Sequence, residues 1–186
     1  KHTNESFLPG AVLPESFKAT SDIELALKRA EVIVLAVPAQ TLRANLLNWK
    51  AFFPTNKPVI SSLKGIEIQS NLRMSEVVRD CIAMSDSLVG IITGPNLASE
   101  LVLRQPAGAV GASTNPEISK LIARLFKTKY FRVYTSDDLL GCELAGSAKS
   151  IIALAVGMVV GMGLGENTQA TIITRGLNEV SKLGVA

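Results

Sequence analysis

The chain has 186 residues, 47% of them hydrophobic and 19% charged, with a formal net charge of +3. That composition suits a packed core in one domain or two small ones, and it argues against extended disorder. The basic residues are scattered. The densest stretch, Lys120 to Arg132, is broken by Leu, Ile, Phe and Tyr, so it reads as a solvated helix face and no nucleic-acid partner is expected.

The opening residues through Pro14 read as loop, punctuated by Asn4, Pro9, Gly10 and Pro14. They lack the apolar core of a signal peptide. Ser21–Arg29 reads as a short helix, with Ser21 and Glu24 at capping-box spacing. Val32–Val37 is a continuous β-branched and apolar run stopped by Pro38, as expected of a strand buried on both faces. Thr41–Trp49 is an amphipathic helix. The unit then repeats: strand Pro58–Leu63, helix Asn71–Cys81, strand Ser87–Thr93, short helix Leu97–Leu103, strand Ala107–Ala112, helix Pro116–Phe126, strand Tyr130–Thr135. Strands alternating with helices predict an α/β fold with a doubly wound parallel sheet.

No strand pattern follows Ser136. That residue is placed to cap a long helix running to about Met162, and a second helix spans Gln169–Leu183 after the break at Gly165–Thr168. The uncharged stretch Ser150–Gly165 is shorter than the roughly 20 residues that span a bilayer, so a buried helix and no stable membrane insertion are expected. Within it, Gly157 and Gly161 suggest close helix–helix packing, and Gly165 a helix end. The domain reading is 1–136 as a partial dinucleotide-binding domain lacking its glycine-rich first strand–helix unit, and 137–186 as the start of an all-α substrate or catalytic domain. The chain opens mid-pattern, and its closing Ser181–Ala186 stretch stops a helix without a closing element.

The chemistry is constrained by what is scarce. The one histidine is His2, and Cys81 and Cys142 lie far apart. This argues against a His-based triad, a metal site or a disulfide framework, and leaves acid–base work to Lys, Asp, Glu, Tyr or Cys. Free thiols fit a reducing, cytoplasmic setting.

Three strand ends then draw interest: Pro38-Ala39-Gln40, Lys64-Gly65 and Gly94-Pro95-Asn96. In an open parallel sheet the carboxyl ends share one rim, where ligands bind. Lys64 is either a cation for a substrate carbonyl or phosphate, or a surface lysine at a strand end. Asn96 is placed either to cap the next helix and offer its amide to a ligand, or to sit in an ordinary strand–turn–helix joint. Lys149 sits among small and apolar residues of the long helix, either as a general acid–base group facing an interdomain crevice or as a lysine snorkelling to water. Glu143 is six residues away, on another helix face, and is a poor partner for it. Gly141–Lys149 and Gly161–Gly165 resemble a P-loop and a dinucleotide fingerprint only superficially, because no strand precedes either.

One ordered series of motifs runs through the chain: Phe7-Leu-Pro-Gly10, Val34-Leu-Ala-Val-Pro38, Ser62-Leu-Lys-Gly-Ile-Glu67, Arg73-Met-Ser-Glu-Val-Val78, Gly94-Pro-Asn-Leu-Ala-Ser-Glu100, Phe131-Arg-Val-Tyr-Thr-Ser-Asp-Asp138, Glu143-Leu-Ala-Gly-Ser-Ala-Lys149, Gly163-Leu-Gly-Glu-Asn-Thr168 and Ile173-Thr-Arg-Gly176. The series closely resembles the bacterial-type NAD(P)-dependent glycerol-3-phosphate dehydrogenases. The resemblance implies a Rossmann-like sheet followed by helices, and a reversible reduction of dihydroxyacetone phosphate to sn-glycerol 3-phosphate that supplies glycerophospholipid synthesis. It implies Lys149 as the catalytic lysine, Lys64 touching both cofactor and substrate, Gly94 and Asn96 touching substrate, and Ala98 contacting the NAD or NADP cofactor. Its departures are Ser150 where the family usually has Asn, Asn96 where bacterial members often have Ser, and Glu166 where Asp is frequent.

The family's N-terminal glycine-rich turn and later C-terminal segment have no counterpart here, so the chain reads as a fragment expected to bind cofactor poorly and to show no turnover alone. NADH against NADPH preference and oligomeric state are not readable, and a homodimer stays open. Two other readings stand beside this one: a related two-domain hydroxyacid or hydroxyacyl dehydrogenase, and a non-catalytic nucleotide-binding or scaffold module.

Overall fold

The computed structural model describes residues 2–184, so Val185 and Ala186 of the closing stretch lie outside the described residues. The opening segment is not a loop. β1 (Thr3–Asn4) pairs antiparallel with β2 (Leu8–Val12). The punctuation residues make a hairpin: Gly10 takes φ +74°, and its amide donates to the Glu5 carboxylate at 3.2 Å. Helix α1 (Ile23–Leu27) begins later than expected, because Asp22, not Ser21, is its cap and accepts from the Leu25 amide at 3.1 Å.

The main body alternates β3 (Ile33–Leu35), α2 (Leu42–Trp49), β4 (Val59–Ser61), α3 (Met74–Cys81), β5 (Val89–Thr93), α4 (Ala98–Val102), β6 (Ala107–Ala112), α5 (Pro116–Phe126) and β7 (Phe131–Ser136). The five strands form one sheet in sequence order. β3, β4 and β5 run parallel, as do β6 and β7, but the β5–β6 junction is antiparallel. The reversal accompanies a short connecting helix. A five-residue helix such as α4 rises about 7.5 Å, whereas a five-residue strand such as β5 is roughly 17 Å long. The helical part of the connection is thus shorter than the strand it would have to cross back along.

Both faces of the central strands are covered, but β3 at the sheet edge is not buried on both faces as expected, since Val34 is 45% exposed. Leu42 and Leu46 of α2 and Val77 and Val78 of α3 are fully buried against Val59 and Val89 on one face. Ile118 and Ile122 of α5 bury against Ile60 and Ile92 on the other. Double coverage explains the near-continuous apolar strands. Helix α3 starts at Met74 and not at Asn71, because Asn71 adopts φ +58° and Arg73 is extended.

The helical part is α6 (Leu139–Gly161) and α7 (Glu166–Leu183). Asp138, not Ser136, caps α6, accepting from the Gly141 amide at 2.8 Å; Ser136 closes β7. Gly163, at φ +72°, ends α6. Its amide bonds to the Val160 carbonyl at 3.0 Å, and the Leu164 amide to the Val159 carbonyl at 3.1 Å. That pair of bonds is a Schellman stop. Gly165 then opens α7 as its N-cap, which is why that helix starts at Glu166 rather than Gln169.

The expected burial of α6 does not hold for its second half. Ile151, Leu154 and Met158 are all more than 60% exposed, because only the sheet rim and α7 cover this helix. Its length and mean hydropathy of 1.8 would suffice for a membrane span, and it is the one such helix among the described residues. The close helix contact also differs from expectation. Nothing lies within 4 Å of a Cβ placed on Gly157 or Gly161, whereas one on Gly176 of α7 would lie 2.8 Å from Ile152 of α6. Gly157→Ala should therefore stabilise the fold by roughly 0.5–1 kcal/mol, by lowering backbone entropy in the unfolded chain. Gly176→Val should destabilise it by about 1–3 kcal/mol through overpacking. Urea unfolding of the two variants checks the pair.

Candidate active site at the sheet rim

Because β3, β4 and β5 are parallel, Pro38-Ala39-Gln40, Lys64-Gly65 and Gly94-Pro95-Asn96 emerge on one rim. They are strapped together laterally. The Gln40 side-chain amide donates to the Ile66 carbonyl at 2.8 Å and accepts from the Ile68 amide at 3.1 Å. Gly65, at φ +143°, sits so close to Ala39 that an added Cβ would lie 3.2 Å from its methyl. The Lys64 ammonium reaches across to donate to the Gly94 carbonyl at 2.8 Å. Gly94 has no room for a side chain, since a Cβ there would come within 2.7 Å of the Gly108 carbonyl.

Asn96 does not cap α4. The cap position is Leu97, without a side-chain bond, and Asn96 Oδ1 is buried with no hydrogen-bond partner. Buried oxygens are rarely left this way, so an acceptor at this turn is free for a donor from a ligand. Ala98 is the exposed first residue of α4, next along the same turn.

Helix α6 is laid across this rim by three residues. Glu143 is buried, and its carboxylate accepts from the Ser75 amide at 2.9 Å, the Ser75 hydroxyl at 2.6 Å and Arg73 at 2.7 Å. The Ser147 hydroxyl donates to the Glu143 carbonyl at 2.9 Å and accepts from the Gly65 amide at 3.0 Å. Gly146 packs flat on Thr93, where any Cβ would collide with the threonine side chain. Lys149 lies one turn beyond Gly146 on the same side. It is the one charged side chain lining a cleft of about 610 Å³ between the ends of β5 and β6 and the inner sides of α6 and α7; Thr93, Gly94 and Gly146 also line it.

The two lysines singled out in the sequence thus meet at one place. Burial lowers the Lys64 pKa below the usual lysine value, and repulsion from the Lys149 ammonium lowers it further. Neither lysine has an acidic partner within ion-pair distance among the described residues. Glu143 is indeed not a partner for Lys149, because it is committed to Arg73 and Ser75. Two neighbouring cations without acidic partners create a field that favours anions.

A second network sits behind the rim. Arg43 of α2 donates to buried Glu67 with Nε at 3.0 and 3.1 Å and Nη2 at 2.9 Å, and also pairs with Asp80 of α3; Ser70 donates to Glu67 as well. These bonds hold the Glu67 carboxyl below its usual range, Arg43 foremost and Ser70 next. Cys81 and Cys142 are both free, and burial pushes both thiols up, toward the protonated form. No group of three or more potential metal ligands occurs among the described residues. Sequence reasoning did not single out Glu143, Ser147 or Arg73. The available signal was that Glu143 is the only acidic residue between Leu139 and Gly161, and a lone carboxylate in an apolar helix needs a buried partner.

An open sheet covered on both faces, with a helical pair laid across its carboxyl rim, defines a Rossmann-like α/β protein joined to a helical unit. Residues 1–119 match the family described as NAD-dependent glycerol-3-phosphate dehydrogenase N-terminus, and residues 138–186 the corresponding C-terminus. The chain belongs to this NAD-dependent glycerol-3-phosphate dehydrogenase family. It is 48% identical over its whole length to a glycerol-3-phosphate dehydrogenase [NAD(P)+] of Corynebacterium diphtheriae, covering 56% of that protein. It is 48% identical over 98% of its length to one of Mycobacterium tuberculosis, covering 55%. Its fold superposes on the crystal structure of glycerol-3-phosphate dehydrogenase from Coxiella burnetii with a TM-score of 0.89, at 32% identity, over 98% of this chain and 55% of that one. The chain spans about half the length of these relatives.

Glu67→Gln should cost about 1–3 kcal/mol at neutral pH, because it strips charge from a buried, multiply bonded acceptor. A carboxyl held low in the folded state stabilises above its unfolded pKa, and the contribution fades as pH falls through the folded value. The stability gap between wild type and Glu67→Gln should therefore close as pH drops below the ordinary carboxylate range. Chemical denaturation across pH measures it.

Proposed function

We propose that this chain carries the substrate-facing rim of a glycerol-3-phosphate dehydrogenase that reversibly reduces dihydroxyacetone phosphate to sn-glycerol 3-phosphate with NADH or NADPH. Family membership supports the reaction class. The observation that carries the site is Lys149 lining the cleft while Lys64, bonded to the carbonyl of cleft-lining Gly94, lies near enough to feel its charge, with no carboxylate paired to either. A doubly charged phosphate ester with an adjacent ketone suits that field.

In this reading Lys149 donates a proton to the carbonyl oxygen as it becomes an alcohol, and takes one back in the reverse direction. Lys64 places its charge beside both substrate and cofactor. Binding of the anion raises its depressed pKa again, so the ammonium form is held when substrate is present. Gly94 lines the cleft with its backbone, and Asn96 Oδ1 accepts from a substrate hydroxyl. Ala98 offers backbone to the cofactor.

The turn after β5 suits a nicotinamide group on the chemistry of one group, the unpaired Asn96 Oδ1, which can accept from an amide or hydroxyl donor. The bound cofactor supplies the hydride; the protein supplies position, charge and the proton. Charged substrate sits at the Lys149–Gly94 mouth and not deeper, because the remaining walls toward Ile152, Val156 and Leu177 are apolar. Residues 1–136 serve as the cofactor side and 137–186 open the helical side. The product feeds glycerophospholipid synthesis, and the two free thiols suit a cytoplasmic setting.

The test is oxidation of NADH and NADPH by the full-length protein. Dihydroxyacetone phosphate should be a far better substrate than dihydroxyacetone, and Lys149→Ala should cut kcat about 10²–10⁴-fold. Equal rates with the two ketones, or an unaffected Lys149→Ala variant, would overturn the proposal.

A further inference from the structure

Lys149 does not hold itself at the rim. Its helix has almost no charge and exposes much of its second half to solvent, so general apolar packing supplies little that fixes rotation or sliding of α6 against the sheet. Apolar contacts are non-directional, whereas hydrogen bonds of fixed geometry are not. Two residues of α6 make such bonds to the sheet side and a third makes a close steric contact, all within two turns before Lys149.

Glu143 is the first. Its carboxylate takes three bonds from Arg73 and Ser75, at the N-terminal end of α3. Arg73 is itself held, donating to Glu76 at 2.7 Å through its other terminal nitrogen while its amide donates to Glu76 at 2.9 Å. Ser147, one turn on, is the second. Its hydroxyl is the acceptor for the Gly65 amide, directly after Lys64. The third is Gly146, whose missing side chain lets α6 touch Thr93 directly. Around a helix of about 3.6 residues per turn, Ser147, Glu143, Gly146 and Lys149 follow one another in angular order. The first two face α3 and the Lys64 loop, the third faces the end of β5, and Lys149 comes next, over the cleft.

We infer that Glu143 and Ser147 are positioning residues: the Glu143–Arg73–Ser75 clamp and the Ser147–Gly65 bond set the register of α6 on the sheet rim, and so set where Lys149 stands relative to Lys64. The Ser147 bond matters most for the pair, because it ties the residue next to Lys64 to the residue two before Lys149. A slip of α6 by one residue would rotate Lys149 by about 100° and remove it from the cleft. The functional weight of this register rests on the dehydrogenase reading above; the register itself does not.

The test therefore uses neither substrate nor cofactor. The lysines of the 186-residue chain are ¹³C-methylated, Lys64 is assigned by Lys64→Arg, and its titration is followed by NMR. Lys149→Met should shift the Lys64 midpoint upward by removing the neighbouring charge. Ser147→Ala should give an upward shift in the same direction with cooperative thermal unfolding retained, and Ser147→Thr, which keeps the hydroxyl, should restore the wild-type midpoint. Glu143→Gln should behave as Ser147→Ala does. Should Glu143→Gln fail to fold, the serine pair still decides. A folded Ser147→Ala variant whose Lys64 midpoint stays at the wild-type value while Lys149→Met moves it overturns the inference, as does a Lys149→Met variant with no effect. Failure of the dehydrogenase reading would show instead as absent ketone reduction with this titration behaviour intact.

Discussion

The site depends on a single buried carboxylate. Glu143 is the only acidic residue in a 23-residue apolar helix, and it spends its charge on Arg73 and two groups of Ser75. Burying an ion pair is a poor source of net stability, but removing one partner of it costs on the order of 3–5 kcal/mol. Such an interaction tolerates one arrangement and penalises its neighbours. Here the arrangement it selects places the first half of α6 on the sheet rim, with the Ser147–Gly65 bond as a second anchor. Everything proposed about Lys149 follows from where that anchoring leaves it.

The other half of the site is prepared by the sheet. Parallel β3, β4 and β5 deliver three loops to one edge, and each loop is braced by its neighbour: Gln40 holds the backbone after Gly65, Lys64 holds Gly94, and Arg43 with Glu67 stiffens the region behind. The result is an edge rich in fixed backbone and poor in negative charge. Two cations reach it from different elements, and their mutual repulsion raises the energy of the empty site. Under the proposed function, a doubly negative ligand would relieve that repulsion, so the feature that costs the free protein would favour phosphate.

Most of the architecture was legible in the sequence, because buried strands and amphipathic helices carry strong periodic signals. Ala107–Ala112 and Pro116–Phe126 coincide with β6 and α5. Where the reading went astray, local side-chain chemistry decided the outcome. Asp22 outcompeted Ser21 as a cap, Asn71 took a left-handed turn that delayed α3, and Glu5 with Gly10 made a hairpin from apparent loop. The antiparallel β5–β6 junction is a matter of strand direction, which periodicity does not report. Lys149 stood out as a lysine among small and apolar residues, and Lys64, Gly94 and Asn96 by lying at strand ends, while their expected roles came from the family resemblance. Glu143 and Ser147 did not, because their partners lie 68 to 82 residues away in the chain. No local pattern announces a bond of that range.

The central claim is that one small phosphate ester is gripped by both ammonium groups at once. It is tested most directly by adding dihydroxyacetone phosphate, in the presence of the nicotinamide cofactor, to full-length protein with ¹³C-methylated lysines. The account predicts that the Lys64 and Lys149 resonances move together and saturate along a single binding curve, with dihydroxyacetone at the same concentrations leaving both in place. Saturable binding that shifts other lysines, or only one of these two, would contradict it.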